Sequence, residues 1–278
     1  MTARRLITGL DHTITGVRDL EAARRAYARL GFTLTPRGRH IGWGTANYCI
    51  MFPDDYLELL GIVDAARFTN RLDEFLEGGE GLLGLALATD DAAALADWLD
   101  ARGIAAEGPR DLARLLELPE GSVRPEFKLL HPAPEVLPGL SAFFCQHVTR
   151  ALMRRPNWLD HANGAAGILA VTALIADLAP IAPAYARLFG AAAVNETVDR
   201  VIVETGHGRL EFHRAEDDGR GRPPPCLSGL RLAVADSDRT AHCLAERGVS
   251  YDRDEEGALH VPTAEACGVA LSFAAAED

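Results

Sequence analysis

A histidine and a glutamate stand within two apolar segments near the start of the chain, and together they could bind a metal ion. His12 lies in residues 10–17 and Glu58 lies in Tyr56–Ile62. Imidazole and carboxylate groups suit divalent ions such as Zn, Mn, Ni, Co and Fe. A carboxylate inside an apolar run is costly unless it has a partner. We therefore predict that His12 and Glu58 are metal ligands; the alternative is a histidine bonded to a neighbour and a glutamate on a solvated strand face.

A third candidate ligand follows in residues 39–47, where polar and aromatic groups cluster. His40 would complete a set of two histidines and one carboxylate with His12 and Glu58. Trp43 could form an aromatic wall for a substrate, and Asn47 could give it a directional hydrogen bond. The alternative for His40 is a loop histidine with neither role.

The segments that carry these residues belong to a unit that recurs four times, which is the pattern of an internal repeat. Each copy is an apolar, strand-like run, then an Asp suited to cap a helix, then an amphipathic stretch that ends at a Gly. Strand-like segments at residues 32–36, 46–52 and Tyr56–Ile62 follow in the first copy, so each unit reads β-α-β-β-β. The four Asp-to-Gly segments are residues 19–31, 91–103, 177–190 and 236–248.

Alignment of the second copy on the first offers one more candidate ligand. Gly84 falls at the position of His12, so that ligand is absent from the second copy. The last strand of this copy, residues 142–148, places Gln146 at the position of Glu58, which makes Gln146 an alternative to His40. Neighbouring strand residues face opposite sides, so only one of Gln146 and His147 can point into a cavity.

The third and fourth copies lack this set of ligands. Ala170 and Gly229 fall at the position of His12, while Glu211 and Ser272 are offered by the last strands. A carboxylate without a histidine on the first strand does not make a metal site. We therefore interpret this half as degenerate: a scaffold, a dimer surface or a lid.

Two basic residues of the second copy are candidates for substrate binding. Strand alternation in residues 124–131 puts Arg124, Glu126 and Lys128 on one face. If that face lines the cavity, Arg124 or Lys128 could bind a carboxylate or an enolate. If it faces water, they are solvated charges.

Composition narrows the class of protein. A net charge of −12 argues against a nucleic-acid or anionic-membrane partner, and no apolar stretch reaches the length of a bilayer span. The five cysteines are scattered without a CxxC pair, which is typical of free thiols. No signal-peptide apolar core precedes Asp11, so a cytoplasmic location is expected. A small-molecule substrate or ligand is the expected partner, and a homodimer is left open.

The units pair into two domains. We predict a first domain at residues 1–150, a connector at residues 151–163 and a second domain at residues 164–278. Residues 216–226, charged and rich in Gly and Pro, are expected to form an exposed, mobile loop. An insertion in the second unit at residues 109–121 is predicted to be helical over residues 111–118.

The repeat and its local motifs resemble the glyoxalase / bleomycin-resistance / extradiol-dioxygenase superfamily, also called vicinal oxygen chelate. The segments most similar to its glyoxalase-like branch are residues 10–12, 38–47, 56–61, 144–147 and 154–164. The resemblance implies an α+β fold with four βαβββ modules that form two paired, curled, mixed sheets. It also implies that His12 and Glu58 are ligands, because the first and last strands of each module line the concave face in that superfamily.

Three functions remain open at this point. The first is a metal-dependent lyase or isomerase of the glyoxalase I type, in which Glu58 or His40 moves a proton. The alternative is a non-catalytic binding protein of the resistance or carrier kind, which the missing ligands at Gly84, Ala170 and Gly229 favour. The third is an extradiol-type dioxygenase with Fe(II); a ligand set from a single unit counts against it, since dioxygenases of the superfamily draw on two.

Overall fold

Two mixed β-sheets, with helices packed on them, make up the structure. The computed structural model describes residues 5–215 and 222–275, so residues 216–221 of the loop predicted at 216–226 lie outside the described residues. Each sheet contains two modules whose first strands pair with each other. This confirms the predicted α+β fold of four modules in two paired curled sheets. Within the described ranges, no helix is long and apolar enough to cross a membrane.

Within residues 5–215 and 222–275, the N-terminal sheet has nine strands, in the spatial order β2-β3-β4-β1-β5-β9-β8-β6-β7. Helices α1 (Leu20–Arg29), α2 (Leu72–Glu77) and α3 (Ala92–Asp100) belong to this half. The strands are β1 (Gly9–Val17), β2 (Gly38–His40), β3 (Thr45–Met51), β4 (Tyr56–Ile62), β5 (Gly81–Ala88), β6 (Ala106–Leu118), β7 (Gly121–Val123), β8 (Glu126–Pro132) and β9 (Ala142–His147).

In the part of the chain that the structure describes, the C-terminal sheet has eight strands, in the order β11-β12-β13-β10-β14-β17-β16-β15. Helices α4 (Ile181–Phe189) and α5 (Ser237–Glu246) complete its two modules. The strands are β10 (Ala165–Ile175), β11 (Val194–Glu196), β12 (Arg200–Glu204), β13 (Arg209–Arg214), β14 (Cys226–Val234), β15 (Asp252–Arg253), β16 (Leu259–Val261) and β17 (Ala270–Ala275).

The predicted helix caps form in three of the four modules. Asp19, Asp91 and Asp236 each accept a hydrogen bond from a backbone N–H of the first helical turn. Asp177 does not cap α4; its carboxylate accepts from the N–H of Ala179 in the preceding turn, and Pro180 is the residue before the helix. The glycine predicted after each helix has a positive φ in all four modules, a conformation that glycine adopts without the steric cost of a Cβ.

A closing strand pair turns the N-terminal sheet into a barrel. Strand β2 pairs with β3 on one side and with β6 on the other, with His40 opposite Arg114. Side chains that point inward from β1, β3, β4, β6 and β9 therefore meet in a closed interior. Within the described residues, no such pair joins the two ends of the C-terminal sheet, so its concave face is open.

Two sequence-based element predictions are wrong. Residues 111–118 are not helical but lie in β6, because β2 and β8 pair with this segment on both sides and the alternating Leu112, Arg114, Leu116 pattern suits a strand. Residues 32–36 do not form a strand. Thr35 donates one backbone hydrogen bond to Cys49, and Pro36 has no N–H with which to continue the ladder.

The two halves share one hydrophobic core, and the connector is packed against the first half. His161 accepts from the N–H of Thr33 and donates to the carbonyl of Met51, and the side chain of Asn163 donates to Leu30 O. Trp158 is buried. Residues 151–163 therefore contribute to the structure of the first half as well as joining it to the second.

Candidate metal and substrate site

His12 and Glu58 meet inside the barrel. His12 Nε2 lies 3.7 Å from Glu58 Oε2, and both side chains are buried. They approach because β1 and β4 are parallel neighbours with His12 opposite Tyr56 and Ile14 opposite Glu58, so the residues share the inward face. The His12 ring also stacks on Tyr56 with 4.4 Å between the ring centroids.

A buried aspartate orients His12. The pairing of β1 with β5 skips Asp11, which forms a bulge between Leu10 and His12. The bulge brings the Asp11 carboxylate to His12 Nδ1, at 2.6 Å, and to His147 Nε2, at 3.1 Å. Burial opposes ionisation of Asp11, but the charge of His147 and the hydrogen bonds from both histidines hold its pKa well below the usual range. Asp11 is therefore an anion that accepts from His12 Nδ1 and leaves Nε2 directed at Glu58.

Glu58 is held by an amide and a guanidinium. Asn47 Nδ2 donates to Glu58 Oε1, and Arg114 Nη1 lies 3.8 Å from the same oxygen. Burial raises the pKa of Glu58, but the charge of Arg114, then those of His12 and His40, outweigh burial and lower the pKa from its ordinary value. Glu58 is thus an ionised carboxylate in the barrel interior.

Arg114 is a functional candidate that the sequence-based prediction missed. Its side chain is only 3% exposed, yet its two hydrogen bonds go to the weak acceptors Cys49 Sγ, at 3.4 Å, and Met153 Sδ, at 3.5 Å. Its Nε has no hydrogen-bond partner in the described part of the chain. In the sequence, Arg114 alternates with Leu112 and Leu116, so in a strand it shares a face with two apolar residues. This signal is visible only when the segment is interpreted as a strand.

His40 lies at the β2–β6 closure, next to the pair formed by Glu58 and Arg114. Its Nδ1 is 2.9 Å from Thr45 Oγ1, and its ring stacks on Trp43 at 5.2 Å. Burial lowers the pKa of His40, although the negative charge of Glu58 opposes this. The structure therefore brings His40, Trp43, Asn47 and Glu58 to one region of the barrel.

Three predicted site residues lie elsewhere. Gln146 accepts a hydrogen bond from the N–H of Ala92 at the start of α3, at 3.0 Å, and so points to the helix side of its strand. Lys128 is paired with Asp111 at 2.8 Å on the same outer face, opposite Gln146. Arg124 is exposed, 3.4 Å from Glu126.

The register of β9 explains the placement of Gln146. Ala86, two residues after Gly84, is opposite Phe143, just as Ile14, two residues after His12, is opposite Glu58. Phe143 therefore stands at the position equivalent to Glu58, with its ring edge-on to His12 at 5.6 Å. The inward neighbour near the end of β9 is His147, which contacts Asp11.

The donor atoms of His12 and Glu58 fit a divalent ion. His12 offers a ring nitrogen whose opposite N–H is fixed by a carboxylate, and Glu58 offers an ionised carboxylate oxygen next to it. Such a nitrogen and oxygen are common metal ligands, and a carboxylate on the histidine is a common supporting contact. Asp11, His12 and Cys145 form a second cluster, with potential ligand atoms within 4.8 Å of one another. This cluster fits less well, because Asp11 is already bonded to two histidines and burial raises the pKa of Cys145 well above its usual value, so the thiol keeps its proton.

Comparison with known proteins agrees with the fold and the motifs. A family model described as "Glyoxalase-like domain" matches residues 10–189, so the chain belongs to this family. The match begins in β1 and ends in α4, which means that it runs through the connector into the third module. It confirms the resemblance to the vicinal oxygen chelate superfamily. No curated protein matches the sequence.

Solved structures with the same fold are distant in sequence. A hypothetical protein from Staphylococcus aureus is 14% identical with a TM-score of 0.70, and the match covers 96% of this chain and 99% of that one. A mutant of 4-hydroxymandelate synthase from Streptomyces coelicolor is 12% identical with a TM-score of 0.57, over 98% and 94% of the two chains. A xylose isomerase-like TIM barrel/4-hydroxyphenylpyruvate dioxygenase fusion protein has the same TM-score at 14% identity, over 96% of this chain and 48% of its own. At these identities the likeness shows the fold alone.

Proposed function

We propose that this protein is a metal-dependent lyase or isomerase of the glyoxalase I type that acts on a small oxygenated substrate. In this proposal His12 and Glu58 are metal ligands and His40 is the nearby third group. The observation that carries it is the approach of His12 Nε2 to Glu58 Oε2, 3.7 Å apart in a buried interior, with Asp11 on the other ring nitrogen of His12. A divalent ion bound there would supply Lewis-acid polarisation of substrate oxygens.

The surrounding side chains have separate roles in the proposal. Asp11 keeps His12 in the tautomer whose Nε2 can bind a cation. Asn47 and Arg114 orient Glu58, and the under-bonded Arg114 guanidinium is placed to stabilise negative charge on a substrate oxygen.

Proton transfer is assigned to His40. The lowered pKa supports a neutral imidazole at neutral pH, which can accept a proton, and the stacked Trp43 gives one wall of a substrate site. Glu58 is the alternative base if it is not committed to the metal. Arg124 and Lys128 take no part, because their charged groups lie on the outer face with Glu126 and Asp111 as partners.

A binding protein without turnover is the second candidate. Gly84 and Phe143 occupy the positions in the second module that correspond to His12 and Glu58, so the second module adds no ligand there. Arg114 already gives Glu58 a positive partner from within the chain. An extradiol-type dioxygenase ranks third, because its set would have to come from His12, His40 and Glu58 of one module.

Elemental mass spectrometry of the purified protein tests the proposal. We expect about one divalent ion per chain in the wild type and loss of the ion in both His12→Ala and Glu58→Gln. His242→Ala is the matched control, because that histidine is exposed on α5 and should leave the metal content unchanged. No metal in the wild type after growth in metal-supplemented medium would contradict the enzyme proposal and favour the binding protein. Iron as the bound ion would favour the extradiol-type dioxygenase.

A further inference from the structure

The concave face of the C-terminal sheet carries a different set of side chains from the barrel interior. Ala170 takes the place of His12, because each lies at the equivalent point of the first strand of its half. The barrel positions that flank His12 hold Tyr56 and Ala86. In the C-terminal sheet the two residues that flank Ala170 are both arginines, namely Arg209 on β13 and Arg231 on β14.

The same correspondence extends to the next positions. Glu211 is opposite Thr172, as Glu58 is opposite Ile14, so a carboxylate is retained. Ser272 is opposite Arg231, where the barrel has Phe143 opposite Ala86. An imidazole with aromatic neighbours has thus been replaced by a small residue between two guanidinium groups. The concave face of the C-terminal half is strongly polar.

Arg209, Glu211 and Arg231 line a cavity on this face. The cavity has a volume of about 410 Å³ and is lined by residues of β11 to β14 and of the turn before β11. Volumes of roughly 300–1,000 Å³ are usual for small-molecule sites. Charged residues dominate the lining: Arg200, Glu204, Arg209, Glu211, His213 and Arg231.

The charges in the cavity favour an anion. Glu211 accepts from Arg209 Nε at 2.7 Å, and its other oxygen lies 3.7 Å from His213 Nε2, so its negative charge is already balanced. Arg231 has no hydrogen bond or ion pair to any residue in the described ranges. Among the described residues of the lining, three guanidinium groups outnumber two carboxylates. Guanidinium groups bind carboxylate and phosphate in a planar, two-point arrangement.

We propose that the concave face of the C-terminal half is a second ligand site, which binds a small organic anion through its carboxylate or phosphate group on Arg231 and Arg209. Glu211 fixes the orientation of Arg209, and Ala170 leaves room between the two arginines. The site does not depend on a metal in the barrel. It gives the C-terminal half a binding role in place of the scaffold, dimer-surface or lid role expected from the sequence.

Isothermal titration of the full-length protein with inorganic phosphate and, separately, with malonate tests this site. Ionic strength is kept constant with chloride, so that general screening does not differ between titrations. We expect saturable binding of at least one of the two probes. The probe that binds shows whether the site prefers a phosphate or a dicarboxylate. Arg231→Gln should weaken binding by roughly tenfold or more, since one charge-assisted contact is lost. Arg231→Lys should retain part of the affinity.

Arg187→Gln is the matched control, because Arg187 lies exposed on α4 outside the cavity. It should bind the probe as the wild type does. If Arg231→Gln proves unstable by circular dichroism, Arg231→Met, which retains the aliphatic stem, replaces it. The proposal is overturned if neither probe binds saturably, or if a folded Arg231 variant binds as tightly as the wild type.

Discussion

Arg114 and Glu58 form a buried pair of opposite charges at the centre of the barrel. Their closest atoms are 3.8 Å apart, and both side chains are almost inaccessible to solvent. Each charge was taken out of water at a cost that only its partners offset. Removing one charge therefore leaves the other buried and unbalanced, which is more damaging than removing both.

Replacing Arg114 by methionine should destabilise the protein strongly. We expect Arg114→Met to lower the free energy of unfolding by about 3 kcal/mol, because Glu58 stays buried without its cation. The double variant Arg114→Met/Glu58→Gln should recover part of that loss. Urea unfolding of the wild type, both single variants and the double variant measures the coupling between the two sites.

Arg110→Met is the control on the same strand: its exposed pair with Glu107 should contribute less than about 1 kcal/mol. Additive effects of the two single changes would show that the charges are not coupled.

The individual residues of the site differ in how far the sequence reveals them. His12 and Glu58 are polar residues inside apolar, strand-like runs, and that contrast is visible without a structure. Asp11 reaches the site only because of a β-bulge, which a two-residue alternation does not predict. His147 was one of two adjacent candidates, and the choice between them depends on the register of β9. That register depends on the lengths of the loops before the strand, so the sequence alone does not reveal it.

At the scale of elements, the closure of β2 onto β6 brings His40 and Arg114 together. Gly38, at the start of β2, is opposite Asn47 on one side and Leu116 on the other. A Cβ at this position would collide with Asn47 Oδ1, the same amide whose Nδ2 donates to Glu58. A residue with no side chain is therefore needed where β2 passes over Asn47.

Gly38→Ala should disturb both the barrel closure and the contact of Asn47 with Glu58. We expect the free energy of unfolding to fall by about 1–3 kcal/mol, the usual cost of overpacking a close-packed interior. Asn47→Ala removes the obstructing amide, so adding Gly38→Ala to it should cost little more. Thermal unfolding of the two single variants and the double variant compares these cases. Gly38→Ala with the stability of the wild type would mean that β2 is not packed against Asn47.

Elements with local signals are predictable, and those made by long-range pairing are not. The Asp caps and the closing glycines specify helix ends within a few residues of sequence, and three of the four caps form as expected. Residues 111–118 contain apolar residues at spacings that suit a helix or a strand. The choice is made by β2, which is far away in sequence, and by β8, which follows soon after; they supply hydrogen bonds on both edges of β6. The same pairing determines that Arg114 faces the interior.

At the scale of the whole molecule, a buried aspartate joins the two halves. Asp55 lies in the turn before β4, and its Oδ2 accepts hydrogen bonds from the N–H of Ile168 and from His207 Nε2, both in the C-terminal half. Asp55 is fully buried, while His207 is partly exposed. The repeat predicts two paired sheets, but this contact between them involves turn residues that lie outside the repeating pattern.

The contact between Asp55 and His207 should make the stability of the protein depend on pH. The hydrogen bond to Asp55 raises the pKa of His207, and the negative charge of Asp54 raises it further. Burial and the positive charge of Arg150 act in the opposite direction. A histidine whose pKa is raised on folding stabilises the folded state fully below its unfolded pKa of about 6.5, and that contribution is lost as the pH rises through the folded pKa.

The midpoint of thermal unfolding of the wild type should therefore exceed that of His207→Gln most at about pH 6, and the gap should narrow towards about pH 8.5. His242→Gln, which removes an exposed histidine paired with Glu246, is the control and should show little change across this range. A gap between the wild type and His207→Gln that is constant with pH would mean that protonation of His207 does not contribute to joining the halves.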